Sequence, residues 1–470
     1  MSRPDPTRRK STTRFAVELT LALAVICVAV YLVLIRDLER TLKYSLDRLH
    51  AAGAPMTFAQ AAGPAVADED NAVPVYQQAF ERLQSFGRFV SAGGTRGHLV
   101  DPDGDILRSF LRDNPPGSQQ KLRARTSEIL ARNKAALALV GQAVAKPAFR
   151  YPLDAEVPGP AGADVPHLDR FRACARLLAA QAIILSELGI TREAIDSCRT
   201  GFRMGVQLAS QPDMMSISAS IGVDSIMLDA LRQVVEKGDI EIETCRALYE
   251  EVGKPDLRVS FRRAQAAEVP QALWWFAEVE RDPEGMQESL ARNSPWSDLA
   301  AKAYVRQLGR IVRLSEEIRY ADFLRRSVTL AAMPYREAKA AYRKLREEMR
   351  RGTPSYHLIT RTVYEFYLED NVSASCDVAA ARQRAMQVAL ALKAYHARYH
   401  AYPDSLAALR GYPGWKLPQD PFSGKPFAYR RKGAGFVLYS WGEDLDDDGG
   451  RPVNPLSSSR DGDIVWEFKR

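Results

Sequence analysis

The sequence predicts a mainly α-helical chain. It has an N-terminal transmembrane helix, an α-helical middle domain, and a small α+β C-terminal domain made of a helix plus a short antiparallel sheet. Three observations predict this. Phe15 to Ile35 is apolar apart from Glu18; from Arg36 to Arg350 apolar residues recur at helical spacing between glycine- and proline-bearing breaks; and beyond Tyr402-Pro403-Asp404 the pattern changes to short strand-like runs separated by turn residues. The expected division is a basic tail (1–14), a membrane span (15–35), a juxtamembrane helix and linker (36–67), a helical domain (68–375) and a C-terminal domain (376–470).

The first element is a membrane anchor. The run has 21 residues with one charge, and at about 1.5 Å each that length suffices to cross a bilayer. Leu34-Ile35-Arg36-Asp37 follows the run where a cleavable signal would carry small residues, so an uncleaved span is expected. Arg3, Arg8, Arg9, Lys10 and Arg14 precede it, which predicts a tail on the cytoplasmic side with the bulk of the chain on the other side of the membrane. The series Leu38, Leu42, Leu46, Leu49 continues the helix outward, and a Gly/Pro/Ala-rich linker from Ala52 to Ala67 ends it.

The middle region follows as a helical stack. Helical spacing covers Asp68 to Phe89; Gly93-Gly94 and Asp101-Pro102-Asp103-Gly104 read as loops; a helix spans Ser118 to Ala145, and the proline-bearing segment Lys146 to Pro166 is irregular. His167 to Leu188 and Arg192 to Ala209 form a helical hairpin around Gly189. Further helices are expected at Met214 to Glu236, Ile240 to Val252, Leu257 to Arg281, Asp298 to Ala332 and Tyr335 to Arg350. Trp274-Trp275-Phe276 is expected in the core. The hairpin segment Leu185-Ser186-Glu187-Leu188-Gly189 with Arg192-Glu193-Ala194-Ile195 resembles one tetratricopeptide-type repeat, but nothing recurs at a period of about 34 residues.

Composition narrows the function. With 470 residues, two or three domains are affordable, and a net charge of +7 spread over 65 basic and 58 acidic residues does not point to nucleic acid. The five cysteines lack metal-binding spacing. Cys174 and Cys198 would meet only if their helices are antiparallel, and buried thiols are the expectation. No GxSxG, phosphate-binding loop or dinucleotide fingerprint occurs. His396 and His400 share a helix face without an HExxH context, and acidic pairs such as Glu316-Glu317 read as solvated surface. No catalytic residue is expected.

The chemistry lies at the C-terminus. Asp444, Asp446 and Asp448 alternate ahead of Gly449, and alternate carboxylates on a tight turn converge on a hard cation. An EF-hand is excluded, because the twelfth position from Asp444 is Pro455 where a bidentate Glu is required. Asp461 and Asp463, ahead of Ile464-Val465-Trp466, are placed to close the shell. Calcium is expected over magnesium, since a pliant loop of carboxylates does not enforce a small octahedron.

A family resemblance rests on three segments. They are Ala389 to Leu406 with its Tyr402-Pro403 turn, Leu417-Pro418-Gln419-Asp420-Pro421-Phe422-Ser423-Gly424-Lys425-Pro426-Phe427-Ala428-Tyr429, and Val437-Leu438-Tyr439-Ser440-Trp441-Gly442. In order and spacing this last fifth of the chain resembles the C-terminal domain of the major pseudopilin of bacterial type II secretion systems. The resemblance implies a calcium ion (Ca2+) held by the Trp441 carbonyl, Asp444, Asp461 and Asp463. The insert from Asp446 to Arg460 departs from the family, so Asp446 and Asp448 either share the ion or solvate the loop. At the other end, Arg14-Phe15-Ala16-Val17-Glu18-Leu19 is similar to a pseudopilin leader junction, but Arg14 stands where the peptidase needs glycine and Glu18 comes one residue early. No processing is expected.

Together these readings lead to a single-pass envelope protein with a structural or adaptor role and protein partners in the envelope or secretion machinery. The alternatives are a membrane-tethered enzyme with its site in the middle domain, or a helical peptide-binding scaffold.

Overall fold

A computed structural model describes residues 6–84, 88–90, 98–112, 116–151, 166–293, 298–306, 309–354, 356–360, 371–411, 414–453 and 460–469. The chain is mainly helical and divides into two compact units, each discontinuous in sequence. The first comprises Met1–Met56, Val269–Arg326 and Leu345–Leu368; the second comprises Thr57–Glu268, Ser327–Lys344 and Glu369–Arg470.

In the first unit, α1 (Pro6–Ala51) continues without a break through the apolar run. From Phe15 to Leu34 its large apolar side chains are exposed, a surface that only a lipid or protein partner would cover. Past that run Leu38, Leu42 and Leu46 become half-buried and Leu49 fully buried, so the leucine series packs as its spacing required. The stretch expected as one helix from Asp298 to Ala332 is two, Asp298–Val305 and Arg310–Ala331. Arg313 spans the break, its guanidinium donating to the carbonyls of Tyr304 at 2.6 Å and Arg306 at 3.0 Å; the Arg306 carbonyl also accepts the Gly309 amide. Of the aromatic cluster expected in the core, Trp275 and Phe276 are buried and Trp274 is half-buried.

In the second unit, α2 (Phe58–Ala62) and α3 (Val73–Glu81) precede a two-stranded ribbon, β1 (Arg88–Val90) with β2 (His98–Val100). The residues Asp101-Pro102-Asp103-Gly104, read as a loop, open α4 (Pro102–Leu111) instead. The Asp101 side chain accepts the Gly104 amide at 2.8 Å, and Pro102 occupies a first-turn position that needs no amide donor. Then come α5 (Pro116–Ala143), α6 (Pro166–Glu187), α7 (Thr191–Ala209), α8 (Met214–Lys237) and α9 (Ile242–Val252). Helices α6, α7 and α8 pack on one another. Tyr76, Phe80, Phe149 and Phe171 close one end, with Tyr76 and Phe171 centroids 4.7 Å apart and the Tyr76 hydroxyl donating to Gln207. Cys174 and Cys198 are separate buried thiols.

The C-terminal helix runs over Asn371–Tyr399. It packs against α8, α9 and a three-stranded antiparallel sheet of Ala428–Lys432, Gly435–Ser440 and Ile464–Phe468, in that order. Leu438 pairs with Trp466 and Phe436 with Phe468, whose rings stack at 4.6 Å. Tyr402 packs edge-on against Phe436, and the Tyr429 hydroxyl donates to the Pro403 carbonyl at 2.6 Å. One apolar core therefore extends from Ala72 through the helices to Phe468.

Inside that core Asp224 of α8 is wholly buried. Gln383 donates to its Oδ2 at 2.8 Å, while Oδ1 accepts no hydrogen bond. Gly205 makes room for it, since a Cβ there would fall 2.4 Å from Oδ1. Burial pushes the Asp224 carboxyl up to about 8, against the opposing effect of Gln383. The neutral acid is tolerated and the anion is not. Its contribution to stability is intact below the unfolded carboxyl pKa, near 4, and is lost as pH rises to about 8. Asp224→Asn cannot ionise, so its stability relative to wild type is expected to grow by about 1.4 kcal/mol per pH unit over that interval and then level off. Denaturant unfolding of the full chain across pH checks this; a difference independent of pH would refute it.

Candidate metal centre

The base of the acidic loop is fixed before the loop begins. Asp420, 1% exposed, accepts the amides of Phe422 at 3.2 Å and Ser423 at 3.0 Å and the hydroxyl proton of Ser440. Asp420 thereby ties the turn ahead of the first strand of the sheet to the end of the second. Trp441 continues from that strand, with its ring under the Lys425 ammonium at 4.9 Å. Both carboxylate oxygens of Glu443 accept from Nη1 of Arg460, and its carbonyl accepts from the Lys339 ammonium.

Seven acids lie between residues 443 and 463, with Arg451 and Arg460 as the basic residues among them. Backbone amides take up much of this charge. Asp444 accepts the Gly462 amide at 2.6 Å and the Asp446 amide at 3.2 Å, and Asp447 accepts the Gly449 amide. The two arms of the loop touch at Gly442 and Gly462, where a Cβ on Gly442 would lie 2.5 Å from the Gly462 carbonyl; both residues adopt positive φ.

Of the six residues that sequence nominated, the structure brings Asp444, Asp448 and Asp461 together, each offering an oxygen within 4.8 Å of the others. Asp446 is exposed, its Oδ1 accepting the Asp447 amide, and lies outside that convergence. Asp463 is buried beneath the loop, and its Oδ2 accepts the Gly450 amide at 2.6 Å. Burial raises the Asp463 carboxyl, the Gly450 and Asp448 amides oppose this, and the charges of Asp447 and Asp448 add to it. Trp441 contributes a packed ring among Tyr335, Phe422 and Leu445.

The donor set suits a hard cation, since it consists of the carboxylate oxygens of Asp444, Asp448 and Asp461; Asp448 Oδ2 is buried without a hydrogen-bond partner, as is Oδ1 of Asp463 outside that convergence. Sequence reasoning missed Arg451. Its guanidinium pairs with Asp448 and reaches Asp461 Oδ2 at 2.9 Å, so it spans two of the three converging acids. A basic residue three positions after Asp448 was the available signal.

Elsewhere, one reading is corrected. Glu316, expected on a solvated face, is fully buried in the first unit, accepting the Tyr304 hydroxyl at 2.6 Å and the Thr360 amide. Burial lifts its carboxyl to about 7. Glu317 beside it is half-buried, and burial lifts its carboxyl to about 7 as well, so neither member of the pair lies on a solvated face. His396 and His400 form no ligand pair, because the helix ends at Tyr399, His400 turns into a left-handed conformation, and His396 stacks on Tyr402. In the second unit a cleft of about 550 Å³ lies between α5, α6 and α7, lined by Leu130, Leu137, Leu178 and Leu185 with Lys134 and Glu193.

No protein-family model, curated protein or solved structure matches the chain.

Asp420→Ala leaves two amides and a hydroxyl without their buried acceptor. It is expected to destabilise the chain by roughly 2–4 kcal/mol, with faster amide exchange concentrated at residues 422–424. Uniform exchange with an unchanged melting midpoint would show that Asp420 does not secure the turn.

Proposed function

We propose that the chain is a single-pass bacterial inner-membrane protein with its basic tail in the cytoplasm. The remainder lies outside and has a structural or adaptor role, with protein partners in the envelope or in a type II secretion or pilus-like assembly. Calcium fastens its pseudopilin-like C-terminal region. The observation that carries the calcium reading is the convergence of Asp444, Asp448 and Asp461 beside two buried, unpartnered carboxylate oxygens. Asp463 is the fourth donor in this reading, and the Trp441 carbonyl enters it through the family resemblance.

The anchor reading is supported by the exposed apolar face of α1, which has a mean hydropathy of 2.6 in its most apolar window. α8 is also apolar enough to span, but 61% of its window is buried within the protein, as a core helix is. The topology follows from the basic tail.

The role of the cation is electrostatic. It supplies positive charge among acids that otherwise repel one another, while Asp444 holds the Gly462 amide and Asp463 holds the Gly450 amide so that the two arms of the loop stay together. Binding to the native state adds RT ln(1 + [L]/Kd), about 2.7 kcal/mol at a hundredfold excess over Kd.

The test is a thermal melt of the detergent-solubilised full-length chain in millimolar calcium and in chelator. A higher midpoint with calcium is expected, and Asp444→Asn should remove the difference. Equal midpoints for wild type, with no calorimetric uptake, would refute the calcium reading.

A further inference from the structure

The acidic loop contains its own cation. Arg451 Nε donates to Asp448 Oδ1 at 3.1 Å, Nη2 contacts the same oxygen, and Nη2 also reaches Asp461 Oδ2 at 2.9 Å. These are two of the three acids whose oxygens lie within 4.8 Å of one another. Asp448 Oδ2 remains buried and unpartnered, as does Oδ1 of the 1% exposed Asp463 below it. The arginine thus satisfies part of an acceptor set that exceeds its reach.

We propose that Arg451 is a resident counterion, and that a divalent cation enters the loop by displacing its guanidinium from Asp448 and Asp461. The inference rests on the calcium reading above and adds the residue that regulates it. A calcium ion binds oxygens at about 2.3–2.6 Å. An ion seated between Asp448 and Asp461 at that range takes the space and the lone pairs that the guanidinium uses. One charge is exchanged for two among carboxylates that still outnumber it.

The side chain is placed for such an exchange. Arg451 is half-exposed, with 54% of its side chain accessible, and the adjacent Gly449 and Gly450 both adopt positive φ. The guanidinium can leave for water without crossing a packed layer. Asp444 and Asp463 keep their backbone amides meanwhile, so the exchange involves one mobile side chain on a loop held by other bonds.

The chemistry separates two functions of the residue. Without calcium, Arg451 stabilises the loop by screening Asp448 from Asp461. With calcium it competes, so wild-type affinity is weaker than the carboxylates alone would give.

The experiment is calorimetric titration of calcium into the full-length chain in detergent, for wild type, Arg451→Gln and Arg451→Lys at one fixed ionic strength, with amide exchange of residues 443–453 in chelator. Arg451→Gln is expected to bind calcium at least tenfold more tightly while exchanging faster in chelator, with Arg451→Lys between it and wild type. Equal or weaker binding by a folded Arg451→Gln overturns the displacement while leaving the calcium site standing. Absence of uptake by both wild type and Arg451→Gln overturns the site itself. If Arg451→Gln fails to fold, Arg451→Lys carries the comparison: tighter binding than wild type supports displacement, and unchanged binding refutes it.

Discussion

The helix Asn371–Tyr399 is the constraint on which the second unit depends. Ala385, Met386, Ala389, Leu390, Leu392 and Ala394 are all buried, and Arg384, Gln387 and Lys393 on the same stretch are half-buried. It packs against α8 and α9 and against the sheet, so its small residues set how closely these elements approach. Arg382 and Gln383 carry polar bonds outward from it, to Asp229 and to Asp224. A side chain enlarged here would have to push both the helical stack and the sheet, and interiors at native packing density do not absorb that. The acidic loop is consequently mounted on the same core as the helices, through the strands Gly435–Ser440 and Ile464–Phe468 that flank it.

Charge, by contrast, governs the loop itself. Its acids are satisfied in two ways: backbone amides for Asp444, Asp446, Asp447 and Asp463, and arginines for Glu443, Asp448 and Asp461. Exposed ion pairs contribute little each, because solvent screens them. The buried amide bonds contribute more, since leaving either partner unmet inside costs its desolvation. The shape of the loop therefore comes from Asp444 and Asp463, while the arginines are the exchangeable part.

Much of this was legible in the sequence, and the misses have physical causes. The N-terminal apolar helix, the hairpin at Gly189, the extent of α8 and α9, and the strand-forming tail all follow from periodicity and turn residues. A helix start was missed where an Asp-Pro dipeptide was taken as a loop: Asp101-Pro102 is a capping carboxylate followed by a proline at the first turn, accepting the Gly104 amide. At the site, alternation identified the acids but not their orientation. Asp446 and Asp448 share spacing and type, yet one faces water and the other the loop interior, because the backbone turns at Leu445 and Gly449 with positive φ. Sequence spacing on a strand or helix predicts direction; in a loop it does not. Glu316 was misjudged for a related reason, since its partners Tyr304 and Thr360 come from other parts of the chain.

The partners already present also bear on how tightly a cation would be held under the proposed reading. Oxygen sites for calcium range from about 10⁻⁹ M in cytosolic buffers to about 10⁻³ M in extracellular modules, according to charge count and rigidity. High affinity requires ligands with no other bonds to give up. Asp444 already holds the Gly462 amide, and Asp448 and Asp461 already hold Arg451, so most coordinate bonds would replace an existing interaction. Only Asp448 Oδ2 and Asp463 Oδ1 would gain a partner outright. Under the proposed reading the site would lie at the weak end of the range and would fill at the calcium levels outside a cell rather than at those inside. The proposed topology, with the basic tail inside, would place the loop on that outer side.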